Sequence, residues 1–194
     1  MVGLGNPGRR YARTRHNVGF RVADALVTST RAAAAAGGTA RFLYDAWRSE
    51  NPPVVIAKPQ TFMNASGNAV RALLDEWGVG AASVLVVADD VNLPLGRVRV
   101  RGGGSGGGHN GLRSIIDQLG TVEFPRLRLG VGPRPPEVVL SDFVLGDFAA
   151  DEEESAEALV ARGALAAIAF AERGLEAAMR EFNASESEIE NEGG

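Results

Sequence analysis

The sequence predicts a single α/β domain whose central mixed, mostly parallel sheet is flanked by helices on both faces. Short apolar runs typical of buried strands alternate along the chain with longer segments of helical periodicity, and such alternation favours a layered α/β architecture. The length of 194 residues suits one domain. We assign this domain to residues 1–183 and expect the acidic residues 184–194, which carry almost no apolar side chains, to form a disordered tail.

Each element follows from its local pattern. Apolar runs bounded by turn residues, or arginine alternating with apolar residues, predict strands at residues 1–5, 54–57, 84–88, 97–101 and 126–131. Apolar residues spaced for one helical face, or alanine-rich runs, predict helical regions at residues 18–36, 68–77, 112–119 and 149–182. A pair of glycines at 37–38 is expected to end the first helix.

The composition excludes several classes of protein. Cysteine is absent, which removes disulfides, thiolate metal sites and a cysteine nucleophile. No apolar run approaches the roughly 20 residues of a membrane span, and no signal-peptide pattern opens the chain. We therefore expect a cytoplasmic protein that does not bind membranes.

Charge is divided unevenly along the chain. Residues 1–146 carry 17 basic and 11 acidic side chains, whereas residues 147–194 carry 3 basic and 13 acidic ones. Seven arginines lie within residues 97–134. Such asymmetry is consistent with a locally basic surface for an anionic partner, but composition alone favours ordinary surface charge.

The only two histidines, His16 and His109, each lie in a cluster of glycine and polar residues. Histidine titrates near neutrality, so both are candidates for proton chemistry. A carboxylate such as Asp89 that accepts a proton from one ring nitrogen of His16 would leave the other nitrogen free to take a proton from water. A magnesium site or solvated turn residues remain alternatives for Asp89 and Asp90.

Polar residues follow several predicted strands, and in open α/β sheets ligands bind beyond the carboxyl ends of strands. We therefore expect Asn6, His16, Asn64 and Asp89 to meet at one rim. Residues 3–8 also match the G-x-G-x-x-G dinucleotide fingerprint, which would require a helix that begins at the third glycine. A dinucleotide-dependent oxidoreductase is therefore a second, weaker hypothesis.

Glycine occupies seven of the ten positions 102–111, around His109 and Asn110. Such a loop can cradle a phosphate because backbone N–H groups approach an anion closely; a mobile surface loop is the alternative. Tyr11 and Phe62 are the aromatic residues nearest these polar clusters, and they could stack on a base or ribose. For Phe62, packing in the core is an equal alternative.

Six stretches, taken together, resemble the bacterial-type peptidyl-tRNA hydrolase family. They are VGLGNPG with Tyr11 and TRHNVGF, KPQTFMNASG at 58–67, VVADDVNLPLG at 86–96, GGHNGLRSII, FPRLRLGVGPRP at 124–135 and FVLGDF at 143–148. They follow the family order and cover most of residues 1–148. The resemblance implies a peptidyl-tRNA hydrolase-like fold and cleavage of the ester between a peptide and the 3′ ribose of tRNA. A catalytically inactive RNA-binding homologue is the alternative.

The resemblance also implies roles for individual residues. His16 would be the general base, oriented by Asp89, and Asn6 would help to distinguish peptidyl from unblocked aminoacyl ends. Residues expected to contact the peptidyl-adenosine end are Tyr11, Phe62, Asn64 and Asn110. Basic residues expected to hold tRNA phosphates are Arg101 and Arg128. Residues 144–146 would belong to a mobile flap. We expect a monomer that acts on peptidyl-tRNA with no metal and no organic cofactor.

Overall fold

A computed structural model describes residues 1–35, 40 and 42–184, and within them it shows one α/β domain built on a seven-stranded mixed sheet. The strands are β1 (Val2–Gly3), β2 (Ala33–Ala34), β3 (Tyr44–Glu50), β4 (Pro53–Pro59), β5 (Val86–Pro94), β6 (Val98–Arg101) and β7 (Arg126–Gly132). The helices are α1 (Val18–Thr30), α2 (Ser66–Trp77), α3 (Asn110–Leu119), α4 (Leu140–Leu145) and α5 (Glu153–Asn183). The predicted fold class is confirmed.

The sheet has the order β2-β3-β4-β1-β5-β7-β6. Strands β4, β1, β5 and β7 are parallel, whereas β2, β3 and β6 pair antiparallel with their neighbours. Helices α1 and α5 bury their apolar residues on one face of the sheet, and α2 and α3 bury theirs on the other. The short central strand β1 therefore places the residues that follow it in the middle of the rim formed by the parallel strand ends.

Helix α1 begins in direct contact with the sheet at Gly19. A Cβ atom there would lie 2.6 Å from the carbonyl oxygens of both Leu4 and Val87. Only glycine permits this approach, because any side chain would displace the helix from the strand ends. The turn before the helix, Arg15–Asn17, is thereby held beside β1 and β5.

Two segments near the start of the chain differ from the sequence predictions. Helix α1 ends at Thr30, not at residue 36, because Arg31 adopts a left-handed conformation with φ of 52°. The next residues form β2 and pair with β3. The predicted glycine stop at 37–38 lies outside the described residues. Strand β3 was not predicted because its residues form no apolar run, and pairing with β4 along its whole length stabilises it.

Strand β5 is longer than predicted. It continues past residue 88 because it pairs with β7 through Asp90 and again, after an irregularity, at Pro94. Asp89 and Asp90 therefore lie within the strand, which extends the predicted bounds of 84–88 and excludes the alternative of solvated turn residues. At the other end of the chain, the predicted helical region is confirmed as α5, which is interrupted at Gly174 with φ of 82°. The acidic residues 185–194 lie outside the described residues.

The last residue of α5 closes part of an edge of the sheet. The Asn183 side chain accepts a hydrogen bond from the Val100 backbone N–H at 2.7 Å and donates to the Val100 carbonyl oxygen at 2.9 Å. Its amide therefore pairs with β6 as a neighbouring strand would. In the described part of the chain, no helix combines the length and apolar character needed to cross a bilayer.

Candidate active site

A cleft of about 220 Å³ opens where β5 and β7 meet the turn before α1. Residues from the strand ends and that turn line its base, namely His16, Asp89, Asp90, Val91 and Arg128. We call the second group of lining residues the loop wall, which consists of Gly107, Gly108, His109 and Asn110. We call the third group the α4 wall, which consists of Leu140, Ser141 and Val144.

The buried carboxylate of Asp89 joins the two histidines. Its Oδ1 atom lies 2.8 Å from Nδ1 of His16 and 2.9 Å from Nε2 of His109. The two imidazole rings have centroids 4.9 Å apart, and all three residues are buried. The pairing of His16 with Asp89 agrees with the predicted geometry, whereas the contact of His109 with the same oxygen was not predicted.

Hydrogen bonding fixes which ring nitrogens carry protons. His109 precedes α3, and its Nδ1 accepts hydrogen bonds from the backbone N–H groups of Gly111 and Leu112 at 3.1 and 3.2 Å. Nδ1 of His109 is therefore unprotonated, and Nε2 carries the proton that it donates to Asp89. An ionised carboxylate only accepts hydrogen bonds, so His16 must also donate, from Nδ1. The neutral His16 ring consequently has a free lone pair on Nε2.

The surroundings of Asp89 keep it ionised. Burial alone would raise the pKa of this carboxyl, but electrostatic attraction to His109 and His16 and the hydrogen bonds that both rings donate hold the pKa well below its usual range. The lower folded pKa means that the carboxylate's contribution to stability is complete above the unfolded value and is lost only as pH falls through the folded one. Asp89 therefore remains a hydrogen-bond acceptor at neutral pH.

Asn6 is oriented by two backbone contacts. Its side-chain Oδ1 accepts a hydrogen bond from the Met63 N–H at 2.8 Å. The Asn17 side chain accepts from the Asn6 N–H at 2.9 Å and donates to the Asn6 carbonyl oxygen at 3.0 Å. Because Oδ1 is occupied, the amide Nδ2 of Asn6 is left as a donor. Asn17, which follows His16, thus ties the first glycine turn to the turn that carries the histidine.

Two arginines of β7 lie beneath the glycine loop. Arg128 pairs with Asp90 at 3.1 Å and lines the cleft. Arg126 is buried, packs over the ring of Phe124, and donates to the carbonyl oxygens of Ser105 and Val122 at 2.9 Å each. Burial, followed by the charge of Arg128, lowers the pKa of Arg126. Arg126 therefore does not belong to the exposed basic surface predicted for residues 97–134.

Five predicted site residues lie outside the cleft lining, namely Asn6, Tyr11, Phe62, Asn64 and Arg101. Tyr11 is half-buried in a short turn, with the guanidinium of Arg10 over its ring at 4.5 Å. Phe62 is 56% exposed, which excludes the alternative of core packing. Asn64 is exposed next to Met63, the residue hydrogen-bonded to Asn6, and Arg101 is exposed at the end of β6.

The dinucleotide hypothesis is wrong. After Gly8 the chain forms a single 3₁₀ turn, Arg9–Tyr11, and the first α-helix begins ten residues beyond this glycine, at Val18. No helix therefore begins at the third glycine, as that fingerprint requires. The fingerprint also expects an acidic residue about 20 positions after the glycines. Asp24 has that spacing, but it lies on α1 and pairs with Lys58 at 2.6 Å.

Sequence reasoning missed several residues that line the cleft. Leu140 and Ser141 precede the predicted flap residues, and only Val144 of that flap lines the cleft. A short helix with an exposed apolar residue such as Leu140 gives no clear periodic signal. For Asp90 the sequence left a magnesium site or a solvated turn residue as alternatives, and its burial opposite Arg128 depends on a pairing of β5 with β7 that no local pattern reveals.

The fold and the cleft define a class of protein. It is a single-domain α/β protein with a histidine–carboxylate centre beside an open cleft, an arrangement that suits activation of water at an ester.

Comparison with known proteins identifies the family. The family model for peptidyl-tRNA hydrolase matches residues 1–191. The chain is 43% identical over 183 residues to peptidyl-tRNA hydrolase of Chlorobaculum tepidum, covering 94% of this chain and 96% of the relative. It is 46% identical over 188 residues to that of Chloroflexus aurantiacus, covering 94% and 97%. The crystal structure of the Acinetobacter baumannii enzyme superposes with a TM-score of 0.85 at 29% identity, covering 94% and 93%.

The chain belongs to the peptidyl-tRNA hydrolase family. The family, fold and hydrolase identity predicted from the sequence are confirmed, and nothing in these matches favours the inactive RNA-binding alternative.

Proposed function

We propose that this chain hydrolyses peptidyl-tRNA by general-base catalysis, with His16 as the base and without a metal ion. The observation that carries the proposal is the shared hydrogen bonding of Asp89, which orients His16 through Nδ1 at 2.8 Å. It leaves Nε2 of a neutral imidazole beside the cleft to accept a proton from water.

The reaction follows from this arrangement. As water attacks the ester carbonyl carbon, one of its protons passes to Nε2 of His16, and Asp89 stabilises the imidazolium that forms. The tetrahedral intermediate then collapses with cleavage of the bond to the 3′ oxygen of the ribose. The imidazolium returns its proton to that oxygen. The products are a peptide with a free carboxylate and a tRNA with a free 3′ end.

Asn6, which is buried and lies outside the cleft lining, is proposed to assist as a donor. Its Oδ1 is held by Met63, so Nδ2 can hydrogen-bond a substrate carbonyl. Asn110, exposed at the start of α3, offers a second amide in the loop wall. Donors directed at a developing oxyanion are worth about 10²–10³-fold in rate each. We assign Asn6 to this donation and to recognition of the peptidyl end, and Asn110 to substrate binding.

His16, Asp89 and His109 form a group that resembles a metal site, with ligand atoms within 4.8 Å of one another. The tautomer of His109 argues against that role. Binding a cation through Nε2 would require a proton on Nδ1, which faces two backbone N–H donors. Without His109, only two protein ligands remain in this group. We therefore propose that the three side chains act through hydrogen bonds alone.

The nucleic acid is proposed to lie along the arginines near the glycine loop. Arg101, at the end of β6, and Arg128, in the cleft, are the proposed phosphate contacts, since phosphate contacts supply much of the affinity for nucleic acids. Tyr11, Phe62 and Asn64 are proposed to bind the peptidyl-adenosine end, where exposed aromatic rings stack on bases. We also propose that the protein acts as a monomer and that it acts in the cytoplasm, where translation products arise.

The decisive experiment is hydrolysis of purified peptidyl-tRNA by His16→Ala. Removal of the base should lower kcat by at least about 10²-fold, while binding of deacylated tRNA persists. Arg13→Ala is the matched control, because Arg13 lies in the same turn region with its side chain 72% exposed. Near-normal turnover by His16→Ala would refute the base assignment, and loss of wild-type activity on treatment with EDTA would refute the absence of a metal.

A further inference from the structure

Arg15, the residue before His16, is buried although it carries a charge. Its guanidinium lies over the rings of Phe143 at 4.6 Å and Phe148 at 5.0 Å. It also donates hydrogen bonds to the carbonyl oxygen of Asp147 and to the carboxylate of Glu152. A buried arginine is held in place by such stacking and charge-assisted hydrogen bonds.

These contacts surround the end of α4. Phe143 lies within α4, and Asp147 follows it closely in the chain. The backbone adds two further links, because the Arg15 N–H donates to the Gly146 carbonyl oxygen at 3.0 Å and Thr14 forms a β-bridge with Asp147. The turn that carries the base is therefore fastened to α4 by one side chain and by the main chain.

Helix α4 has few other anchors. Only Val144 of its six residues is buried, whereas Leu140 and Leu145 are 42% and 43% exposed. Helices this short receive most of their stability from packing, so a helix with one buried residue depends on its neighbours. In the described structure, the turn Arg15–Asn17 is the chief element against which α4 packs.

We infer that Arg15 is a positioning residue that sets the distance between the α4 wall and His16, and so determines how tightly the peptide part of the substrate is held. The α4 wall offers two apolar side chains and the Ser141 hydroxyl, a surface suited to a peptide and not to phosphate. The inference rests on the proposed function of the cleft. It assigns the α4 wall to the peptide and Arg15 to the placement of that wall.

The test compares Arg15→Lys with wild type on two substrates, an N-acetyl-aminoacyl-tRNA and a tripeptidyl-tRNA. Lysine keeps the charge but loses the planar stacking and the second donor contact. We expect KM for tripeptidyl-tRNA to rise about tenfold with kcat within about threefold, and a smaller rise in KM for the shorter substrate. Arg13→Lys, whose exposed side chain pairs with Glu153, is the matched control and should change neither constant.

Hydrogen exchange supplies a readout that does not depend on activity. The amides of Phe143 and Gly146, bonded to Val139 and Phe143 carbonyl oxygens, should exchange faster in Arg15→Lys. Accelerated exchange in a protein that hydrolyses no peptidyl-tRNA would separate failure of the proposed function from failure of this inference.

Other outcomes would overturn the inference. A fall in kcat at constant KM would mean that Arg15 acts through His16, and unchanged constants or unchanged exchange would remove the positioning role. If Arg15→Lys does not fold, Phe143→Leu tests the same contact from the α4 side. That variant must show the same rise in KM for tripeptidyl-tRNA, and an unchanged KM would overturn the inference equally.

Discussion

The loop wall and the α4 wall of the cleft are fixed by different means. The loop wall is the last part of the glycine-rich segment 102–111. Two buried side chains hold this segment, because Arg126 donates a hydrogen bond to the Ser105 carbonyl oxygen and His109 donates one to Asp89. The α4 wall belongs to a regular helix, yet most residues of that helix are not buried. Arg15, from the turn before α1, holds the helix by packing on the ring of Phe143. Secondary structure alone therefore does not indicate how a wall is held. The anchors of both walls are buried, and they differ in their position, because Arg126 and Asp89 lie on strands of the sheet whereas Arg15 lies in the turn before α1.

The strongest test of this difference removes the anchor of the loop. Arg126→Met keeps the buried volume but leaves the carbonyl oxygens of Ser105 and Val122 without their donor. We expect the free energy of unfolding to fall by about 2–4 kcal/mol, measured by urea denaturation, because unsatisfied buried acceptors are costly. Arg99→Met, at an exposed position on β6, is the control and should change stability by less than about 0.5 kcal/mol. Equal effects of the two substitutions would contradict the conclusion that Arg126 holds the glycine-rich segment in place.

A second test separates the two contacts of His109. His109→Asn retains a side chain able to cap α3 but loses the buried hydrogen bond to Asp89, so the free energy of unfolding should fall by about 1.5–3 kcal/mol. We expect kcat to fall about tenfold, a part of the general-base contribution of about 10²–10⁴. His109→Ala should lose the cap as well, at about 1 kcal/mol of unfolding free energy. If His109→Asn hydrolyses peptidyl-tRNA at the wild-type rate, the contact with Asp89 has no catalytic role.

The smallest expected effects concern the division of the substrate between the walls. Arg101→Ala should weaken tRNA binding and reduce the slope of log K against log salt by about one, measured by filter binding between low and moderate salt. We expect a change in the same direction but smaller for Arg128→Ala, because Asp90 already neutralises Arg128. Leu140→Ala, on the α4 wall, should leave the slope unchanged. A change in slope for Leu140→Ala would contradict the assignment of that wall to the peptide.

The parts of the fold that were predictable are those with strong local patterns. The spacing of apolar residues predicts the buried part of β5 at Val86–Ala88, the helices α2 and α3, and the alternating strands β6 and β7. Strand β3 and the end of β5 depend on pairing with partners distant in the chain, which spacing does not encode. The left-handed Arg31 that ends α1 has no glycine or asparagine to signal it.

The site shows the same division. The pairing of His16 with Asp89 could be predicted because both lie near the carboxyl ends of central strands. The second hydrogen bond to Asp89 could not, because it depends on the path of the glycine loop that carries His109. The burial of Arg126 likewise could not be predicted from the sequence, because an arginine in an alternating strand is ordinarily expected to face solvent.

The amide of Asn183 has a consequence for how this molecule meets others. An unpaired outer strand invites strands of other chains to add to it, which is a route to aggregation. At Val100 of β6 both backbone groups are already occupied by that one side chain. A strand of another chain therefore cannot hydrogen-bond to the backbone at Val100. The neighbouring Arg99 and Arg101 remain exposed. One side chain from the end of α5 therefore protects this position of the edge strand from pairing with another chain.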